Sequence, residues 1–333
     1  MHNYWLNTIK QHSTRDYINT VSIPMSFLPP SVVLPVPLTT KSHFSPIPKV
    51  VNAQNQQDPI ILGVDEAGRG PVIGPMVYGL AYTRKSQDRV LRKFGFDDSK
   101  KLTPEKRTEL MQGICGAEPE LLSSIGWATT SITARDISAG MLRPKGSTYN
   151  LNSQAHDVTM ALIQGILDRG VCVEEVYIDT VGPPAVYQKK LQGRFPGLKI
   201  TVTKKADSLF PIVSAASIVA KVTRDSSIEQ SRLCRSIPTV WGSGYPSDPR
   251  TSKWLNGNVH PLYGWDLNVR YSWQTAKDAI KRNNGIEMTW EDDLEEVDDD
   301  YGDISHLMSS NNFSSSSISN FDSVRCDWFL SSI

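Results

Sequence analysis

Apolar residues are distributed along the chain in two patterns. Short apolar runs bounded by turn residues are typical of buried strands, and they predict strands at 59–64, 76–82, 124–132, 173–178 and 198–202. Apolar residues at helical spacing, together with capping residues, predict helices at 103–112, 152–167, 184–191 and 208–224. Three strands come first and strands then alternate with helices, so we expect an α/β domain with a mixed β-sheet.

The two ends of the chain lack this patterning. Residues 1–57 are rich in Pro, Ser, Thr, Asn and Gln and predict a disordered N-terminal extension. Residues 283–333 contain an acidic run and a serine-rich stretch, which predict a mostly disordered tail. The folded domain is therefore expected at 58–282. No apolar run reaches the roughly 18 residues that would predict a membrane helix, so we expect no membrane partner.

The net charge of zero, from 35 basic and 35 acidic residues, hides an asymmetry. Residues 283–333 hold 12 acidic residues and one basic residue, which leaves 34 basic and 23 acidic residues in 1–282. A basic body suits a polyanionic partner, although moderately basic domains are common. The four cysteines form no Cys-x-x-Cys pair, so we expect reduced thiols rather than a zinc site or a disulfide framework.

Carboxylates stand at or just beyond the ends of three predicted strands. They are Asp65 with Glu66, then Asp179, and then Asp207. Side chains at the carboxyl ends of strands in an α/β sheet point into the crevice where ligands bind, although a cap or a turn would also explain Asp179 or Asp207 alone. Four acids at one place repel one another unless cations neutralise them, and oxygen ligands suit Mg²⁺ or Mn²⁺ rather than Zn²⁺.

Three further features fit a sugar–phosphate ligand. Gly68-Arg69-Gly70 follows the first acids directly, and glycines let a backbone approach a ligand closely, although a plain hairpin turn also uses them. Lys100 precedes the predicted helix at 103, where an anion is favoured. Tyr245 lies in a glycine-rich loop and is a candidate for stacking on a sugar or base. For Lys100 a solvated surface charge is the alternative, and for Tyr245 a structural role.

The string Asp65-Glu-Ala-Gly-Arg-Gly-Pro71 resembles the signature of type 2 ribonucleases H. Further segments resemble this family in order along the chain, at 98–103, 149–152, 176–182, 205–207, 213–222 and 242–249. The resemblance covers about residues 58–280. The forms Asp-Thr-Val-Gly at 179–182 and Gly-Ser-Gly-Tyr-Pro at 242–246 resemble the eukaryotic-like catalytic (A) subunit of that family rather than the bacterial monomer.

This resemblance implies a ribonuclease H-like fold, with a central mixed sheet flanked by helices and a helical C-terminal segment. It implies that two Mg²⁺ or Mn²⁺ ions are held by four carboxylates, Asp65, Glu66, Asp179 and Asp207. It also implies substrate contacts: Gly68, Arg69 and Gly70 would read the ribose 2′-hydroxyl through backbone groups, Tyr245 would pack against the next, deoxy sugar, and Lys100 would contact the phosphate backbone.

The resemblance also implies an activity and partners. The enzyme would hydrolyse the RNA strand of RNA/DNA hybrids and cut 5′ of single ribonucleotides in duplex DNA, leaving 3′-hydroxyl and 5′-phosphate ends, in DNA replication and ribonucleotide removal. It would work with two accessory subunits, B and C, in a heterotrimer in the nucleus; Lys10 and Arg15 leave a mitochondrial location as an alternative. Two other functions stay open, a non-catalytic hybrid-binding scaffold and a transposase-like nuclease that ignores the 2′-hydroxyl.

Overall fold

A six-stranded mixed sheet forms the centre of the molecule. The structure, a computed structural model, describes residues 27–52, 58–96, 101–180, 182–233, 241–260 and 262–285. The strands are β1 (Lys41–Phe44), β2 (Ile60–Ala67), β3 (Met76–Arg84), β4 (Gly126–Ile132), β5 (Val173–Asp179) and β6 (Lys199–Thr203). Their order across the sheet is β1-β4-β3-β2-β5-β6, antiparallel from β1 to β2 and parallel from β2 to β6. The predicted mixed sheet is confirmed.

Eleven α-helices accompany the sheet in the described residues. They are α1 (Lys49–Asn52), α2 (Asp88–Phe94), α3 (Pro104–Gln112), α4 (Pro119–Ser124), α5 (Ala134–Met141), α6 (Leu151–Asp168), α7 (Pro184–Arg194), α8 (Ala206–Leu209), α9 (Pro211–Leu233), α10 (Pro249–Gly257) and α11 (Gln274–Arg282). The start predicted for α3 is confirmed, since the Thr103 hydroxyl accepts a hydrogen bond from the Lys106 amide and Pro104 begins the helix. The single helix predicted at 208–224 is wrong, because α8 ends at Leu209 and α9 begins at Pro211.

Both faces of the sheet are covered, which explains why β3 is buried at all nine positions. One apolar core lies between the sheet and α6 and α7, and a second lies between the sheet and α3 and α9. Helix α9 approaches the sheet closely because β2 and β3 carry glycines beneath it. A Cβ atom at Gly63 would lie 2.5 Å from the Ile212 carbonyl oxygen, and one at Gly79 would lie 2.3 Å from the Ala216 carbonyl oxygen.

Part of the predicted disordered extension belongs to the fold, so the prediction for 1–57 is wrong over 27–52. Strand β1 pairs with β4 along the sheet edge, and Val51 joins the core. The amide and hydroxyl of Thr40 both donate to Asp136 Oδ2, at 2.6 and 2.7 Å. An edge strand can be held by backbone pairing without an apolar run of its own. The polar composition of 27–52 therefore led to the wrong prediction of disorder. Residues 1–26, 53–57 and 286–333 lie outside the described residues.

The C-terminal helices form a third apolar cluster that reaches back to the β2–β3 connection. Val72 and Ile73 of that connection pack with Trp265 and Val269. The Val72 amide donates to the Gly244 carbonyl at 2.8 Å, and the Arg270 amide donates to the Val72 carbonyl at 2.8 Å. The predicted helical C-terminal segment is thus confirmed over α10 and α11. Within the described ranges, no helix has the length and apolar character needed to span a membrane.

Candidate active site

Strand pairing brings the predicted acids from three separate stretches to one edge of the sheet. In the parallel pair β2–β5, Val64 lies opposite Ile178, so Asp65 and Asp179 occupy the next positions on neighbouring strands. The Ala206 amide donates to Asp179 Oδ1 at 3.0 Å, which places α8 at the end of β5. Asp207 follows in the first turn of α8. The juxtaposition predicted from the strand ends is therefore present.

Asp65 is a buried acid whose pKa is strongly raised. Only 5% of the residue is exposed, and the Glu66 amide donates to its Oδ1 at 2.7 Å. The pKa of Asp65 is raised to about 7: burial is the largest cause and the charge of Asp179 adds to it, while a hydrogen bond with Ser217 and the charge of Lys221 oppose the rise. Loss of water around the carboxylate therefore outweighs its local partners, and a cation would relieve that imbalance.

Asp207 is also buried, at 2% exposure, whereas Glu66 and Asp179 are half-buried and border open space. Lys205, just before α8, has a φ of 59°, a left-handed turn that changes the chain direction between β6 and Asp207. Sequence alone suggested a cap or turn role as an alternative for Asp207. Its side chain is instead buried close to the end of β5.

A cavity of roughly 190 Å³ lies on one side of Glu66 and Asp179. Its walls include Arg69, Asn152 and His156, and the Arg69 side chain donates to Asn152 Oδ1. His156 stacks on Tyr187 with ring centres 3.9 Å apart, and burial lowers the pKa of His156. No role was predicted from the sequence for Asn152 or His156. Asn152 ends a segment that resembles the family, at 149–152, and the only signal for His156 was its position in the second turn of a predicted helix.

A second, more open cleft lies on the other side of Glu66. Its lining includes Gly68, Arg69 and Gly70 together with three basic side chains and Tyr245; the basic side chains are Arg107, Lys221 and Arg224. Tyr245 is 44% exposed, and its ring would lie 3.4 Å from a Cβ atom at Gly70. The loop and the tyrosine predicted for sugar contact therefore share one surface. The predicted phosphate contact Lys100 lies outside the described residues.

The four carboxylates fit a hard divalent cation by chemistry, since all their donor atoms are oxygens. They do not form a ready-made cluster: across the described residues, no three His, Cys, Asp or Glu side chains lie in metal-binding positions. Each of two acids is bound separately: Asp65 accepts a hydrogen bond from the Glu66 amide, and Asp179 accepts one from the Ala206 amide. Rotation of these side chains toward one another is what a bound cation would require.

The mixed sheet with acids at one edge and a basic cleft beside them defines a nuclease of the ribonuclease H-like class. The family model "Ribonuclease HII" matches residues 62–276. The chain is 50% identical over 275 residues to the A subunit of ribonuclease H2 from Neurospora crassa, covering 81% of this chain and 86% of that protein. It is 52% identical over 275 residues to the A subunit of ribonuclease H2 from Schizosaccharomyces pombe, covering 81% of this chain and 82% of that protein.

A solved structure agrees with these relatives. The crystal structure of the ribonuclease H2 from Pyrococcus horikoshii OT3 matches with a TM-score of 0.54 and 30% identity, covering 67% of this chain and 98% of that chain. The chain belongs to the ribonuclease HII family, and it is an endoribonuclease. The predicted fold class and enzyme class are thereby confirmed.

Proposed function

We propose that this chain hydrolyses the RNA strand of RNA/DNA hybrids and cuts duplex DNA on the 5′ side of a single embedded ribonucleotide. The products would carry 3′-hydroxyl and 5′-phosphate ends. The observation that carries the proposal is the meeting of Asp65, Asp179 and Asp207 at one sheet edge, next to a loop that can approach a sugar closely. Such an arrangement serves phosphodiester hydrolysis at a ribose, which suits removal of ribonucleotides during DNA replication and repair.

The carboxylates of Asp65, Glu66, Asp179 and Asp207 would hold two Mg²⁺ or Mn²⁺ ions. When bound, such a pair lowers the pKa of an attacking water and stabilises the leaving oxygen. Asp65 contributes a buried carboxylate whose negative charge is unfavourable without a cation. Lys221, whose ammonium donates to Ser217 Oγ at 2.9 Å, contributes positive charge beside Asp65.

The open cleft would hold the nucleic acid. Backbone groups of Gly68, Arg69 and Gly70 would read the 2′-hydroxyl, the group that distinguishes RNA from DNA. Tyr245, beside Gly70, would pack on the following deoxy sugar and favour an RNA–DNA junction. Arg107, Lys221 and Arg224 would neutralise phosphates along the same cleft, and Lys100 stays a predicted phosphate contact.

The names of two relatives support a multisubunit assembly. Proteins 50% and 52% identical to this chain are named as the A subunit of ribonuclease H2. We therefore propose that this chain works in a complex with two accessory subunits, B and C, and that the complex acts in the nucleus.

The test uses the full chain coexpressed with its accessory subunits. Duplex DNA with one ribonucleotide, an RNA/DNA hybrid and an all-DNA duplex are each incubated with and without Mg²⁺. Asp179→Asn should lower cleavage roughly a hundredfold or more, because loss of one ligand removes several kcal/mol of transition-state stabilisation. Asp168→Asn, at the exposed end of α6, should cleave like the wild type.

The cleavage and binding results distinguish three functions: a ribonuclease, a hybrid-binding scaffold and a nuclease that does not use the 2′-hydroxyl. Cleavage of the ribonucleotide substrates alone, dependent on Mg²⁺ and on Asp179, supports the proposal. Binding of hybrids without any cleavage would indicate a scaffold. Equal cleavage of the all-DNA duplex would indicate a nuclease that does not use the 2′-hydroxyl.

A further inference from the structure

The loop Gly68–Gly70 is held from behind by two side chains that lie about 200 residues further along the chain. Arg270 donates from Nη2 to the Gly68 carbonyl at 2.6 Å and from Nη1 to the Arg69 carbonyl at 2.9 Å. The Trp273 indole Nε1 donates to the Gly70 carbonyl at 2.9 Å. Three successive carbonyl groups of the loop are thus bound by one C-terminal segment.

The Arg270 side chain is buried and is bound to the β2–β3 connection. It has no exposed surface, and its Nε donates to a further backbone carbonyl, that of Gly74, at 2.9 Å. Each hydrogen bond that its side chain donates within the described ranges ends on a backbone carbonyl of the β2–β3 connection. The pKa of Arg270 is lowered to about 9, mainly by burial and in smaller part by the nearby charge of Arg224. A fully buried guanidinium is costly, so these bonds offset a real desolvation penalty.

Trp273 contributes a flat ring as well as a donor. The Arg270 guanidinium lies over that ring, 4.7 Å from its centre, which is a cation–π contact. The hydrogen bond from Trp273 to Gly70 lies at an exposed position, unlike the bonds of Arg270. Water could replace this bond without unfolding the loop, so the bond contributes more to orientation than to stability.

Fixing the carbonyl groups also fixes the amide groups that follow them. A trans peptide is planar, and its N–H points opposite to its C=O. Because the Gly68 and Arg69 carbonyls turn toward Arg270, the amides of Arg69 and Gly70 point away from it. The loop borders the substrate cleft, where Tyr245 lies beside Gly70. In the described part of the chain, neither amide donates to another backbone group.

We propose that Arg270 and Trp273 are positioning residues for ribose recognition: they hold the peptides of the loop so that the Arg69 and Gly70 amides meet the 2′-hydroxyl in a preset geometry. This inference rests on the proposed function, in which the loop reads that hydroxyl. Preorganised donors give specificity because their orientation costs nothing when the substrate binds. The C-terminal segment would then determine discrimination between ribose and deoxyribose without touching the substrate.

The test variant is Trp273→Phe, which keeps an aromatic ring beside Arg270 and removes the indole donor. The matched control is Trp265→Phe, which also removes an indole hydrogen bond, from Nε1 to the Leu255 carbonyl, a bond that ends on helix α10 and not on the loop. Arg270→Lys is the second variant, since it keeps a positive charge while losing the fork that binds three carbonyls. All are made in the full chain, coexpressed with its accessory subunits.

Two quantities are measured on duplexes that differ in a single 2′-hydroxyl. Binding of the ribonucleotide duplex and of the all-DNA duplex, with Ca²⁺ in place of Mg²⁺, gives a ribose preference as the ratio of the two Kd values. Cleavage of the ribonucleotide duplex in Mg²⁺ gives kcat and KM. In Trp273→Phe, the ribose preference and kcat should each fall about three- to tenfold, the factor expected for one lost hydrogen bond. Arg270→Lys should lose more, and Trp265→Phe should keep the wild-type preference.

The outcomes distinguish this inference from the function on which it rests. A Trp273→Phe complex that keeps the wild-type ribose preference overturns the positioning role, even if its melting temperature falls. A wild-type complex without any ribose preference overturns the proposed function instead. If Arg270→Lys fails to fold, Trp273→Phe alone decides the question, because its lost bond lies at an exposed position.

Discussion

Asp65→Asn should stabilise the metal-free protein at alkaline pH while it abolishes metal-dependent cleavage. Asp65 is a buried carboxyl beside Asp179, and burial raises its pKa from 3.8 to about 7. The folded protein therefore holds this proton more tightly than the unfolded chain does. The resulting stability is fully present below pH 3.8 and is lost as the pH rises through about 7.

The size of the effect follows from that rise in pKa. A change from 3.8 to about 7 corresponds to roughly 4 kcal/mol of unfolding free energy over the whole titration. About 2–3 kcal/mol of this is lost between pH 5 and pH 8. Asparagine has nearly the same shape, stays neutral at every pH and can still accept the Glu66 amide, so the variant should escape this loss.

The assay is urea unfolding of chelator-treated protein near pH 5 and near pH 8. The difference in unfolding free energy between Asp65→Asn and the wild type should grow by about 2–3 kcal/mol in favour of the variant at the higher pH. Asp168→Asn removes a carboxylate at the exposed end of α6 and serves as the control.

The same urea unfolding is then repeated near pH 8 with Mg²⁺ added. A ligand that binds only the folded state raises the unfolding free energy, so the wild type should gain stability and Asp65→Asn should gain much less. Parallel pH profiles for the wild type and Asp65→Asn would refute the reasoning, because Asp65 would then carry no buried charge for a cation to neutralise.

Two further changes test other parts of the fold. Gly68→Ala should lower the unfolding free energy by about 1–3 kcal/mol and weaken cleavage, since Gly68 has a φ of 80° and its Cβ would lie 2.1 Å from the guanidinium Nε of a buried arginine. Gly193→Ala, with nothing near its Cβ inside α7, should be neutral or stabilising in the same urea titration. Thr40→Val should cost about 1–2 kcal/mol and speed proteolysis within 27–52, because buried Asp136 loses one donor, whereas exposed Thr39→Val should do neither.

The sequence could indicate the position of the acids and the loop because each stands at or just beyond the end of an apolar run. Asp65 lies two residues before the end of β2 and Asp179 ends β5, and these strands pair in parallel, so local pattern and topology agree on where the side chains lie. The same reasoning found the start of α3, where a threonine cap and a proline act within one turn. These are features whose causes lie within a few residues of one another.

Other features depend on contacts between distant segments, which no local pattern records. Arg270 reads in the sequence as an ordinary surface cation, yet it is fully buried and binds carbonyls about 200 residues away. Strand β1 carries no apolar run and is ordered by pairing with β4. Helix α8 is separate from α9 and is bound to the end of β5 by the hydrogen bond from the Ala206 amide to Asp179, a contact between distant segments that Pro211 alone did not predict.

Helix α9 packs on the sheet and also carries polar side chains to the site. Ser217, Lys221 and Arg224 are spaced four and three residues apart, so they lie along one face of the helix, toward the acids and the open cleft. Ser217 and Lys221 reach Asp65 because the helix rests directly on the sheet. That close contact requires glycine at positions 63 and 79, where a Cβ atom would lie within 2.5 Å of the helix backbone. The glycines of β2 and β3 therefore serve the site as directly as its charged groups do. Any side chain there would push α9 outward and withdraw the only cation among the groups that set the pKa of the buried Asp65 carboxylate in the described structure.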